Sequence, residues 1–156
     1  MFKKIKEFIE AVKTAYYIIN INKFNAKNAI EDYREKVERL SNIAKTMENL
    51  YDNLKDAYIY FPTDERQDFI HKTMYLLSYG RKDSNGRLID MCGLRTLYRS
   101  EADYGRNKLA QLEDLYNEGK YKEVMAKTEE YNNRLEEFFV IYGIKDIKEN
   151  TSEDNE

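Results

Sequence analysis

Residues 30–58 read IEDYREKVERLSNIAKTMENLYDNLKDAY, and this stretch decides the fold. Its apolar side chains recur at alternating spacings of three and four: Ile30, Tyr33, Val37, Leu40, Ala44, Met47, Tyr51, Leu54 and Tyr58. Because an α-helix has 3.6 residues per turn, this spacing puts all of them on one face. Ile43 and Leu50 widen the face beyond the seam of a two-stranded coiled coil. The stretch therefore predicts a long helix that packs into a bundle and ends before Pro62.

The same periodicity predicts a helix before this one and three after it. The first covers about residues 2–19, with one face formed by Phe2, Ile5, Phe8, Ile9, Val12, Tyr16 and Ile19. The asparagine-rich residues 20–28, NINKFNAKN, predict a break after it, because asparagine favours caps and turns. A third helix is capped by Thr63 and stops at Gly80, and two more cover about residues 94–117 and 121–142. Gly105 lies on the apolar face of the fourth helix and predicts the close approach of another helix.

An irregular, glycine-containing stretch separates the third and fourth predicted helices at residues 80–95, GRKDSNGRLIDMCGLR. Its Asn85-Gly86 pair is a strong signal for a two-residue turn, so we expect an irregular loop or tiny hairpin near residues 80–93. The predicted fold is all-α, a bundle of about five helices with long antiparallel members. Residues 1–144 are expected to form a single helical domain, followed by an acidic disordered tail at 145–156.

The connection between the last two helices carries a second local signal. Residues 115–124, LYNEGKYKEV, resemble the inter-helix turn of a tetratricopeptide repeat, with Tyr116, Gly119, Tyr121 and Val124 in the corresponding places. No second copy occurs at a 34-residue period, and a repeat array needs about three copies. The resemblance therefore implies a generic helical hairpin.

Composition excludes several classes of protein. The chain has 156 residues and a net charge of −3. This charge is small and negative, so it indicates neither a strongly basic nucleic-acid binder nor a polyanionic mimic. One cysteine and one histidine exclude an internal disulfide and the usual zinc-binding sets. No apolar run approaches the roughly 20 residues of a membrane span, so we expect a cytoplasmic protein with no membrane partner.

The sequence contains no recognisable catalytic motif around its histidine, its cysteine or its glycines. His71 follows Asp68 by three residues, which is half of the paired motif that holds metals in helical bundles. Cys92 lies near Arg87 and Arg95 in sequence and could form a dyad with His71 of the preceding helix, but a small buried apolar residue at the start of a helix is the simpler interpretation. The glycines of residues 80–93 follow no phosphate-binding spacing. We therefore expect no enzyme, no metal and no cofactor.

The most asymmetric charge lies in residues 80–108, where arginines alternate with tyrosines. The candidate partner-binding residues there, called the basic patch below, are Tyr79, Arg81, Lys82, Arg87, Arg95, Tyr98, Arg99, Tyr104 and Arg106. Tyrosine and arginine are enriched at the energetic centres of protein interfaces, and they also grip phosphates and stack on bases. The third possibility is a solvated helix face without a partner.

A non-enzymatic protein-interaction module is the function that these observations favour. The Lys-, Asn-, Ile- and Glu-rich composition is typical of AT-rich coding sequences, which suggests a phage or mobile element. Binding and inhibition of a bacterial host protein, such as a defence protein, is the concrete version. One alternative is a nucleic-acid-binding protein that uses residues 80–108. Another is an assembly protein that forms a homo-oligomer through the second helix, and that dissociates when Val37 or Leu40 becomes charged.

Overall fold

The computed structural model describes residues 1–60, 64–77, 85–87, 89 and 91–143. These residues form four helices, α1 (Phe2–Tyr60), α2 (Asp64–Leu77), α3 (Met91–Asn117) and α4 (Tyr121–Tyr142), and they include no strand. The all-α prediction is confirmed, with four helices in the described ranges where about five were expected. The predicted tail at 145–156 and most of the predicted loop lie outside the described residues, although Gly86 has the positive φ, 76°, that the predicted turn requires.

The helix count differs because the first two predicted helices are one. Helix α1 continues through residues 20–28, so the predicted break there is wrong. An interior asparagine costs at most about 0.7 kcal/mol relative to alanine, and the stretch contains neither glycine nor proline. The spacing of threes and fours also continues through it, from Ile19 to Ala26 and Ile30, with Lys23 as the one charged residue at a position of the stripe. One stripe at alternating spacings of three and four thus runs from Phe2 to Tyr58.

The described chain divides into two compact units, and the first comprises residues 1–37 and 104–133. Its buried residues come from three helices: Ala26, Ile30, Tyr33 and Val37 of α1, Leu109 and Leu112 of α3, and Val124, Thr128 and Tyr131 of α4. The Tyr33 and Tyr131 rings lie 6.0 Å apart. A Cβ at Gly105 would lie 2.5 Å from Val37 Cγ2, so α3 approaches α1 as closely as the predicted role of this glycine requires.

The hairpin between α3 and α4 ends the first unit with a defined helix cap. Gly119 has a φ of 76°, and its N–H donates to the carbonyl of Tyr116 at 3.0 Å. The N–H of Lys120 donates to the carbonyl of Leu115 at 3.0 Å, which completes a Schellman motif. The predicted turn and the predicted limits of α4 are confirmed, because the glycine signal is local and needs no tertiary support.

The second unit comprises residues 38–103 and the described residues 134–143. Its buried side chains are Leu40, Ala44, Met47, Ile70, Ile89, Leu94, Tyr98, Ala102, Leu135 and Phe138. Helix α3 begins at Met91, three residues before the predicted start. Cys92 and Gly93 therefore lie within its first turn, and Gly93 does not precede the helix as expected.

Candidate interaction surfaces

The basic patch predicted from residues 80–108 is only partly a surface. Tyr79, Arg81 and Lys82 lie outside the described residues, and Arg87 is exposed in the turn that follows Gly86. Arg95, Tyr98 and Arg99 belong to the second unit, whereas Tyr104 and Arg106 belong to the first.

Tyr98 is not available to a partner, which corrects its assignment to the patch. Its side chain is fully buried, with 0% of its surface exposed. Its hydroxyl donates to the carbonyl of Tyr142 at 2.8 Å, and its ring packs edge-on against that of Phe138 at 5.0 Å. A tyrosine side chain has an apolar ring and a polar hydroxyl, so this position buries the ring among apolar side chains and gives the hydroxyl an acceptor.

The two arginines beside Tyr98 are engaged within the second unit. Arg99 donates to and forms an ion pair with the Glu48 carboxylate. This hydrogen bond lowers the pKa of Glu48 and raises that of Arg99. The half-buried guanidinium of Arg95 lies 5.5 Å from the centre of the Tyr51 ring and donates to Cys92 Sγ at 3.4 Å. Both arginines therefore already have contacts on α1, although the Arg99 side chain remains 51% exposed.

The remaining patch residues give a small and mixed surface. Tyr104 is half-buried, and Lys108 Nζ lies 5.2 Å from the centre of its ring. The same ammonium lies 5.4 Å from the Tyr131 ring. Arg106 is exposed on the next turn. These contacts resemble the packing of a solvated helix face more than a preformed phosphate or base site.

No catalytic constellation emerges from the part of the chain that the structure describes. It holds no group of three His, Cys, Asp or Glu side chains that could bind a metal. The side chain of His71 lies outside the described residues, and Cys92 is half-buried and accepts a hydrogen bond from Arg95 at its Sγ. A search of the described helices for a stretch that could cross a membrane also found none.

Among the described residues, exposed large apolar side chains are concentrated in residues 1–25, at the start of α1. Every side chain from Met1 to Asn25 is exposed except that of Asn22, which is half-buried. Seven of these side chains are called the N-terminal stripe below: Phe2, Ile5, Phe8, Ile9, Val12, Tyr16 and Ile19. Five further large apolar side chains are exposed off the stripe: Met1, Tyr17, Ile18, Ile21 and Phe24. Val12 is 51% and Phe8 69% exposed, so none of the other described helices covers this part of α1.

Charge is also distributed unevenly between this segment and the remainder. Residues 1–28 carry six lysines and two glutamates, a net charge of +4. The other residues carry 20 basic and 27 acidic side chains, a net charge of −7. The small total charge of −3 therefore conceals a basic, apolar segment joined to an acidic remainder. Sequence analysis predicted only that the apolar side chains of residues 2–19 share one helix face, and this charge segregation is the signal that distinguishes the segment from the remainder.

Self-association through the predicted second helix meets a physical obstacle. The apolar face of residues 30–47 is packed inside the chain, with Val37 2% and Leu40 0% exposed. A charge at either position would disrupt folding before it reported on an oligomer. The uncovered part of the α1 stripe lies at its N-terminal end instead.

No family model matches this chain, and searches of curated proteins and of solved structures found no match.

Proposed function

We propose that this protein is a non-enzymatic docking module whose contact surface is the N-terminal stripe. The observation that carries the proposal is the exposure of all seven stripe side chains on a regular helix. The packed helices of the first unit supply a fixed base for the segment, because α1 continues from the stripe into their core without a break.

The size of the exposed surface supports docking. The seven stripe side chains are 46–89% exposed. With a full side-chain surface of roughly 150–200 Å² each, the stripe exposes on the order of 800 Å². The largest apolar patch on a typical soluble monomer is about 300–600 Å², and larger ones usually mark interaction sites. A helix of this length has marginal stability without packing, so a partner that covers the stripe would also stabilise the helix.

Inhibition of a bacterial host protein is the activity we propose if the occupant is a protein. Its support is compositional, namely the AT-rich type of composition and the lack of a legible catalytic motif. The mechanism would be occlusion, in which the partner's functional surface is covered by the stripe. Nucleic-acid binding is less favoured, because Arg95 and Arg99 already contact Tyr51 and Glu48.

Cell fractionation of three forms of the full chain tests the docking proposal. Val12→Glu puts a charge in the centre of the stripe, whereas Thr14→Glu puts the same charge about 200° around the same helix. Both side chains are exposed, so both variants are expected to fold like the wild type by circular dichroism.

After gentle lysis and nuclease treatment, the wild type and Thr14→Glu should appear in sedimenting or high-mass fractions. Val12→Glu should appear as free chain. If all three forms are free monomers, the stripe is not a docking surface and the proposal is wrong.

A further inference from the structure

We infer that the occupant of the N-terminal stripe is an anionic membrane surface, with residues 2–19 lying in the lipid–water interface. This inference rests on the proposed docking function and names its partner. It differs from a membrane span, because an interfacial helix lies parallel to the surface and buries one face only about 5–10 Å deep.

The arc that the stripe covers suits a flat apolar medium. At 100° per residue, its side chains spread over about 120°, from Phe8 on one edge to Phe2 on the other. This is the width of a face that rests on a surface or a core, and it is wider than the narrow seam of a coiled coil. Its members Phe2, Phe8 and Tyr16 are aromatic, a residue class that is favoured at membrane interfaces.

The lysines border this arc on both sides. Lys6 and Lys13 lie about 20–40° beyond Phe2, and Lys4 lies about 40° beyond Phe8. All three are exposed. Lysines at such edges can bury their methylene stems beside the lipid while the ammonium reaches the headgroups. The positions of these lysines therefore match those of an interfacial helix.

The acidic residues of the segment lie where an anionic surface would not meet them. Glu7 and Glu10 fall within about 40° of the direction opposite the centre of the stripe. Both glutamates are exposed, and Glu10 Oε1 lies 3.8 Å from the Nζ of Lys13 at the edge of the stripe. Three of the four lysines of residues 2–19 thus lie at the edges of the stripe, while Lys3 and both glutamates lie on the far side, and this distribution gives an attraction that depends on orientation.

Charge also decides between a membrane and a second copy of the chain. If two stripes paired as a coiled coil, the flanking positions that follow the seam would be occupied by Lys6, Lys13 and Lys27 on each copy. No acidic side chain occupies a flanking position that could pair with them. The two segments would each bring a charge of +4, so like charges would meet along the contact. An anionic surface converts the same lysines into attractive contacts, each worth roughly a factor of five in affinity.

The expectation of no membrane partner came from the lack of a spanning run. An interfacial helix needs no such run, since about half of its surface stays in water. The finding that no described helix could cross a membrane is therefore compatible with this inference.

Vesicle binding by the full chain tests the inference directly. The probes are phosphatidylcholine vesicles and phosphatidylcholine vesicles with roughly 30% phosphatidylglycerol, read out by flotation. We expect the wild type to bind the anionic vesicles at least about tenfold more tightly than the neutral ones. Val12→Glu should lose about tenfold or more, whereas Thr14→Glu, which has the same charge, should stay within about threefold.

A second pair of variants tests the edge lysines separately from total charge. Lys13→Gln removes a lysine at the edge of the stripe, and Lys3→Gln removes one from the middle of the polar face. We expect a larger loss of affinity for Lys13→Gln, because only this ammonium lies next to the headgroups. Equal losses for the two variants would overturn the edge geometry.

The same variants also distinguish a membrane from the other possible occupants of the N-terminal stripe. Absence of wild-type binding to anionic vesicles overturns the membrane inference, while association in the fractionation test would still support docking to another partner. A dimer by light scattering that Val12→Glu converts to monomer would make a second copy the occupant. Equal binding by Val12→Glu and Thr14→Glu would mean that the stripe does not enter the lipid.

Discussion

Val12 and Val37 lie on the same stripe of the same helix, yet their environments are opposite. Val12 is 51% exposed and Val37 is 2% exposed. The spacing of apolar residues is the same around both positions, at alternating threes and fours. The difference is the presence of neighbours, since Gly105 of α3 meets Val37, whereas none of the other described helices covers Val12.

An apolar stripe thus specifies which face of a helix is to be buried, but it does not specify which molecule or segment packs against that face. In the first unit, α3 and α4 cover α1 from Ala26 onward, and Tyr131 and Gly105 contact its stripe. The N-terminal stripe has the same periodicity with no cover from the described chain. We interpret the first as a core and the second as a contact surface, a distinction that substitutions can test.

The largest expected effect comes from the same substitution at the two valines. Val37→Glu buries a charge among apolar side chains, and we expect the free energy of unfolding to fall by about 4 kcal/mol or more. Val12→Glu exposes its charge to water, so the change should stay within about 0.5 kcal/mol. Urea unfolding followed by circular dichroism measures both values. Similar losses at the two positions would show that Val12 is packed in solution.

A medium effect is expected where α3 meets α1 most closely. Gly105→Ala gains about 1 kcal/mol of helix propensity, but its methyl group would overlap Val37 Cγ2, and overpacking of this kind costs about 1–3 kcal/mol. We expect a net loss of about 1 kcal/mol, measured by thermal unfolding.

Combining Gly105→Ala with Val37→Ala makes that prediction specific. The smaller side chain at position 37 makes room for the new methyl group, so the double variant should lose less stability than the two single changes added together. Strict additivity would mean that α3 and α1 are not in tight contact at this point.

The smallest expected effect concerns the exposed pair of Glu48 and Arg99. The pKa of Glu48 is lowered by its hydrogen bond to Arg99, so folding favours the ionised carboxylate. Its contribution to stability is present above the ordinary pKa of 4.5 and is lost as the pH falls below it, through the lowered pKa of the folded state. Glu48→Gln should reduce the steepness of this acid-side decrease slightly, as measured by unfolding between neutral pH and pH 3. An unchanged profile would show that water screens the pair completely.

Local signals in the sequence predicted the structure correctly where the properties of a single residue type determine the local conformation or contact. Gly119 predicted the α3–α4 turn because positive φ is a property of glycine itself, and Gly105 predicted a close contact for a steric reason. The predicted break at residues 20–28 was wrong because asparagine only weakens a helix. The assignment of Tyr98 to a surface was wrong because an Arg- and Tyr-rich stretch does not reveal which tyrosine turns inward.

The sequence by itself determined that the described chain is helical, where α4 begins and ends, and that apolar side chains share one helix face over residues 2–19 and again over residues 30–58. Only the tertiary structure decided which part of that face is core, which arginines pair with α1, and which residues are left uncovered. The physical reason is that periodicity and backbone preference act within a few residues along the chain. Burial depends on whether a distant segment of the chain packs against the face, and for residues 2–19 none of the described segments does.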